Sequence, residues 1–288
     1  MEKKIDPRAF QLALASFVFW GFFPIYWKLL TSVGALEILA HRMIWSLVFY
    51  LGLFLVLTRG QIRTLFRESG RNWLLSTLSG LLLALNWGLY IYAVNSGHIL
   101  EGSLAYFINP LLNVVVGVAF FRERMSSWMK SALLLATTGV MIQVLFASRF
   151  PWISLVLAIT FCAYGAVKKI LTVNPSQSSV MEGVFLFFPA LFAAIYLRHQ
   201  AAVPLTTGEL LLLMGSGIVT GLPLYFFSAA TQKLSYGLVG MLQFIAPSLQ
   251  FLVGVFMYGE RLEATTLVSF VFIWLGVAFY IRDKRANG

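Results

Sequence analysis

The side chains best able to do chemistry lie inside apolar runs. Tyr106, Asn109, Asn113 and Gly117 fall at i, i+3, i+7 and i+11, which places them on one helical face. The same spacing 137 residues later reads Gln243, Ala246, Gln250 and Gly254. A proline sits inside each stretch (Pro110 and Pro247), where it removes a backbone hydrogen bond and frees a carbonyl one turn earlier. Amides and freed carbonyls at bilayer depth need partners or a water-filled cavity. The chemistry they suit is recognition rather than bond making: a polar, uncharged lining for a small solute. The same groups can instead hold helices together, at about 0.6–2 kcal/mol per contact.

Charge is concentrated elsewhere. Trp20, Pro24, Trp27 and Lys28 share a face near the end of the first apolar run. Glu37, His41 and Trp45 repeat at i, i+4, i+8 in the second, with Arg42 beside them. Ionisable residues within a span usually face the bundle interior and pair there. Lys28, Glu37, His41 and Arg42 are therefore expected to form one polar cluster at an outer mouth, with Arg198 an ordinary loop charge. Alternatively, Lys28 and Arg42 snorkel to headgroups while Glu37 marks a helix start. Lys168 and Lys169, ending the sixth run, read as anchors. No acidic residue falls clearly at mid-run, so no buried carboxylate presents itself as a proton carrier. Glu123 and Glu260 stand near helix C-termini, where the dipole disfavours a carboxylate. Trp20, Tyr106, Asn109, Asn113, Gln243 and Gln250 are the expected substrate contacts, and Pro24, Pro110 and Pro247 the expected hinges.

Catalytic residues, metal ligands and cofactors are not expected. HExxH, GxSxG, P-loop and dinucleotide signatures are absent, and the three histidines are scattered. Cys162 is the only cysteine, which excludes intramolecular disulfides and thiolate clusters. The composition is 59% hydrophobic and 11% charged, with a mean hydropathy of +0.84. Soluble domains carry about 25% charged residues, so this chain must use lipid as its solvent. The net charge of +10 sits in short connections between apolar runs, without the aromatic-interleaved basic stretches of a nucleic-acid binder.

The elements that must position these residues are long apolar helices. Ten runs are long enough to cross a bilayer: 10–30, 36–57, 72–94, 100–121, 128–146, 151–170, 180–197, 209–230, 238–258 and 265–281. The first is too long for a signal peptide and lacks a cleavage site. With the N-terminus inside, sixteen Lys and Arg residues fall on the cytoplasmic side and five outside, which predicts cytoplasmic termini. The stretch 107–124 matches 244–261 at nine of 18 positions without a gap, and the same offset pairs Gly80 with Gly217 and Gly139 with Gly276. Two five-helix repeats are expected, residues 1–147 and 148–288. An odd helix number inverts the second, an arrangement that lets one half rock against the other around a central site. Gly80, Ala84 and Gly88 in the third run, and Gly217 with Gly221 in the eighth, read as close-packing seams.

Taken together, these features resemble the EamA branch of the drug/metabolite transporter superfamily: ten spans, inverted repeats, and a Pro-bearing helix and Glu turn closing each repeat. Within that branch, Trp20-Gly21-Phe22-Phe23-Pro24-Ile25-Tyr26-Trp27-Lys28, Glu37 and His41-Arg42-Met43-Ile44-Trp45-Ser46 are similar to the RarD subfamily. The resemblance covers essentially the whole chain. It implies a multi-pass carrier of the bacterial inner membrane with a central cavity between the repeats; the expected partners are a small-molecule solute and the bilayer, with the protein a monomer. RarD-type proteins are associated by name with chloramphenicol, and EamA relatives with export of amino acids and metabolites. Two other classes fit the same composition: a non-transporting membrane assembly or regulatory factor, and a carrier of a lipid-linked precursor.

Overall fold

In a computed structural model the described residues are 5–96, 98–145, 151–201, 203–259 and 264–286. The helices are α1 (Pro7–Gly21), α2 (Phe23–Trp27), α3 (Ala35–Leu57), α4 (Arg63–Phe66), α5 (Gly70–Asn95), α6 (Ile99–Ala119), α7 (Ser127–Leu145), α8 (Trp152–Ile170), α9 (Pro175–Gln200), α10 (Thr207–Lys233), α11 (Tyr236–Gln243), α12 (Ile245–Tyr258) and α13 (Ala264–Ala286). No strand occurs among the described residues. Among the described residues, eight segments are long and apolar enough to cross a membrane, and Leu104–Ala119 and Ala264–Phe279 are shorter apolar helices. The chain is thus an all-α polytopic membrane protein. Lys3, Lys4, Arg149 and Arg261, which belong to the Lys and Arg count that predicts topology, and Glu260 lie outside the described residues.

Local sequence explains the helix ends. Asp6 caps α1 by accepting from the N–H groups of Arg8 (2.9 Å) and Ala9 (3.2 Å), with Pro7 as the first helical residue. Thr206 and Glu209 form a reciprocal capping box at the start of α10 (Glu209 N to Thr206 Oγ1 3.2 Å; Thr206 N to Glu209 Oε2 2.7 Å). Gly259, at φ +65°, supplies the left-handed residue that ends α12.

The three expected hinges differ. The first span breaks at Phe22, just before Pro24, and the ninth breaks at Phe244, three residues before Pro247. At Pro110 the expectation of a break is corrected, because α6 runs through it unbroken. Pro189 in α9 and Pro223 in α10 are also accommodated inside helices.

The packing is reciprocal about the 137-residue offset. A Cβ at Gly139 would lie 2.7 Å from the Ser269 carbonyl oxygen, and one at Gly276 would lie 2.7 Å from that of Ala132. Ser269 and Gly276 are the offset mates of Ala132 and Gly139. The same holds on the other side of the bundle. Gly80 abuts Glu182, and Gly217 abuts the Trp45 backbone, with Glu182 the mate of Trp45. Contacts that come in such swapped pairs are what a two-fold axis generates. The small residues let α7 approach α13, α5 approach α9 and α3 approach α10 at backbone distance. Gly221 packs on Phe49 and Tyr50 as a seam residue should, whereas Gly88 meets open space and is not part of a seam.

Candidate substrate cavity

Opposite ends of the bundle are chemically distinct. Asp6 before α1 pairs with Lys233 at the end of α10 (3.3 Å), and Glu123 beyond α6 meets the start of α11, so these ends share one face. From the middle of the bundle toward the other face runs a cavity of about 440 Å³. Its walls reach Ala35 at the start of α3 and Ile91 near the end of α5, so it opens on the face away from Asp6. The volume falls within the range of small-molecule sites. An aromatic floor closes it below. Trp20 and Phe161 line the cavity, and Phe227 lies 5.6 Å from both, with Phe17 and Tyr164 packed beneath.

Eight of the residues expected at a site or hinge line this space: Trp20, Pro24, Arg42, Tyr106, Asn109, Gln243, Pro247 and Gln250. Several amides are already engaged between helices. Asn109 Nδ2 donates to the Ala158 carbonyl (2.7 Å), and Gln250 Nε2 donates to the Trp20 carbonyl (3.0 Å). Trp20 stands one turn before Pro24, so Gln250 satisfies a carbonyl that Pro24 cannot reach. Asn113 is 0% exposed, donates to Gln243 Oε1 (2.8 Å) and lies outside the cavity. Pro110 is not a lining residue either; its carbonyl abuts Gly240 where α6 crosses α11. Asn86, absent from the expected set, lines the cavity and donates to the Leu157 carbonyl (2.8 Å) and Thr160 Oγ1 (3.0 Å).

The expected four-residue polar cluster is corrected. No ion pair or hydrogen bond joins any two of Lys28, Glu37, His41 and Arg42 among the described residues. Lys28 lies 3.3 Å above the Tyr258 ring, and His41 Nδ1 accepts from Trp45 Nε1 (3.3 Å). Glu37 pairs with Arg198 (3.3 Å), so Arg198 is no ordinary loop charge. Arg42 alone enters the cavity. Its guanidinium carbon sits 4.6 Å from the Trp27 ring and 4.5 Å from the Trp87 ring, and Nε donates to Thr220 Oγ1 (3.0 Å).

The face bearing Asp6 is closed by charged groups, of which Lys168 departs from the anchor expected of it. Lys168, read as an anchor, is 0% exposed; it donates to Ser178 Oγ (2.6 Å) and forms an ion pair with Glu182. Lys169 reaches the Leu234 carbonyl and, at 3.9 Å, Glu123. Glu123, which the helix dipole disfavoured on its own helix, caps the next one: its carboxylate accepts from the N–H groups of Tyr236 (2.5 Å) and Gly237 (2.9 Å). Glu68 joins α5 to α9 by accepting from Asn72 Nδ2 (3.0 Å) and Gln177 Nε2 (3.2 Å). The signal for Glu182 was its apolar surroundings within a long run, which implies pairing, but its partner lies 14 residues earlier on another helix.

The profile of the EamA-like transporter family matches residues 8–145. A Pseudomonas aeruginosa protein named as an uncharacterized transporter is 39% identical over 282 residues, covering 96% of this chain and 94% of that one. Protein RarD of Escherichia coli is 38% identical over 292 residues, covering 98% and 97%. A solved crystal structure with 19% identity superposes at a TM-score of 0.74, covering 94% of this chain and 96% of its own, a likeness that speaks for the fold alone.

Proposed function

Given that the chain belongs to the EamA-like transporter family as a RarD-type member, we propose that it is a secondary carrier exporting a small metabolite or drug by alternating access. Its cargo would be amino-acid-like or chloramphenicol-like in size. The observation that carries this reading is the cavity of about 440 Å³, which opens on one face and is shut off from the other by aromatic and charged layers. A site reachable from one side at a time is what alternating access requires. Residues 1–147 and 148–288 act as inverted repeats in this proposal, supported by the swapped glycine contacts. The carrier sits in the bacterial inner membrane as a monomer, with both termini cytoplasmic, which the distribution of Lys and Arg favours. Trp20, Tyr106, Asn109, Gln243 and Gln250 contact the solute, and movement at the Pro24 and Pro247 breaks re-aims the walls.

The test begins with a thermal-shift screen of purified protein against metabolites and antibiotics, since a ligand selective for the folded state adds about 2.7 kcal/mol at 100-fold its Kd. Each stabilising compound is then followed in proteoliposomes. Flux above that of protein-free vesicles is the expected result. Stabilising ligands that never cross would refute the carrier assignment.

A further inference from the structure

Arg42 stands out because it is the one charged side chain among the described residues of the cavity wall. It lies seven residues into α3, about 10 Å of helix rise from the open face. A guanidinium at such depth usually pairs with a carboxylate. Arg42 has none within ion-pair distance among the described residues. What it has is Thr220 on Nε and two indoles within 4.6 Å of its guanidinium carbon. The two indoles, Trp27 and Trp87, belong to different spans and both contact the guanidinium, which restricts its movement. Among the described residues, Thr220 accepts from one of the five guanidinium N–H donors. Arg42 is half-buried, and cation–π contact steadies its charge but offers no acceptor for the remaining donors.

Around this one cation the walls are aromatic and apolar. Phe23, Tyr90, Ile91 and Phe161 line the same space, and among the described residues no Asp or Glu does. Described walls that carry one fixed positive charge, no negative charge and an apolar body select by charge as well as by shape. Zwitterions would bring an ammonium group that finds no carboxylate here. A second anionic group would find no second cation. We propose that the cargo is a soluble monocarboxylate with an aromatic or branched apolar body, its carboxylate held by the free edge of the Arg42 guanidinium. This narrows the carrier reading above and rests on it. Arg–carboxylate geometry is frequently bidentate and charge-assisted, so the contact supplies orientation as well as affinity.

The test uses three probes of one shape and different charge: 4-phenylbutyrate, its primary amide and 4-phenylbutylamine. Binding is read by quenching of tryptophan fluorescence, because Trp27 and Trp87 flank the site. Flux is read separately in phosphatidylcholine proteoliposomes. The acid should bind at least about tenfold more tightly than the amide, the step expected for one charge-assisted hydrogen bond. Arg42→Gln should erase that preference, and Arg42→Lys should keep part of it, which separates loss of charge from loss of fold. Equal or tighter binding of the amide or the amine by the native chain would overturn the proposal, as would an Arg42→Gln protein that still prefers the acid. Absence of binding by all three would overturn it too. Selective acid binding without flux of any probe would leave the anion site standing and sink the carrier reading instead. Loss of acid binding when phosphatidylglycerol is added to the vesicles would reassign Arg42 to a lipid headgroup.

Discussion

A proline in a membrane helix leaves an acceptor without its donor, and the amide of Gln250 fills that position for the Trp20 carbonyl. Gln250→Leu should therefore lower stability by about 1 kcal/mol, the usual worth of an interhelical hydrogen bond in a membrane. Asn113→Ala should do the same without changing solute affinity, since Asn113 bonds Gln243 and does not line the cavity. Both are measured as thermal unfolding in detergent beside ligand titration. A weaker affinity with unchanged melting for Asn113→Ala would put that residue back in the site. The Lys168–Glu182 pair is a sharper case. Removing one partner strands a buried charge, at about 3–5 kcal/mol, whereas replacing both with apolar residues is often neutral. Glu182→Leu should thus destabilise far more than the Lys168→Met/Glu182→Leu double variant. If the two melted alike, the pair would contribute little at this position.

Helix ends are where the elements join, and Glu123 acts across such a joint. It caps α11 from the turn after α6, so Glu123→Ala should cost about 1 kcal/mol and loosen the α6–α11 contact. A cysteine cross-link rate between those helices would register the loosening; an unchanged rate and melting point would deny the cap its role. At α1, the N–H of Ala9, with Lys233 nearby, holds the Asp6 carboxyl below the ordinary carboxylate range. A depressed folded-state pKa contributes stability that is complete above about pH 4 and disappears as acid protonates the folded group. The melting temperature should fall on the acid side, and Asp6→Asn, which keeps a capping acceptor, should fall less. The helices themselves were legible from apolar length, and most boundaries lie within a few residues of the expected ones. The partners of Arg42, Glu37 and Lys168 were not. Each lies on another helix, and spacing along one helix reports which face a residue shares but nothing about the face opposite it. Pro110 likewise could not be separated from Pro247 by sequence, because whether a helix breaks depends on what packs against the freed carbonyl.

For the molecule as a whole, sidedness is the first thing to settle. A single cysteine at Arg63 in a Cys162→Ala background should stay unlabelled by an impermeant maleimide in intact cells and react in inverted vesicles; the opposite pattern would reverse the orientation. With that orientation the cavity opens outward, and the Arg42 cation acquires an electrical meaning. The empty carrier holds one positive charge in its cavity, and the proposed monoanion-loaded carrier holds none. A membrane potential acts on a charge with about 2.3 kcal/mol per 100 mV over the full field. An interior-negative voltage would therefore pull the unloaded carrier back toward the cytoplasm and leave the loaded one untouched. Outward movement of an anion would then run with the field rather than against it, with no proton or sodium ion needed. Export measured under a potassium diffusion potential set by valinomycin should quicken as the interior becomes more negative, and that dependence should flatten in Arg42→Gln.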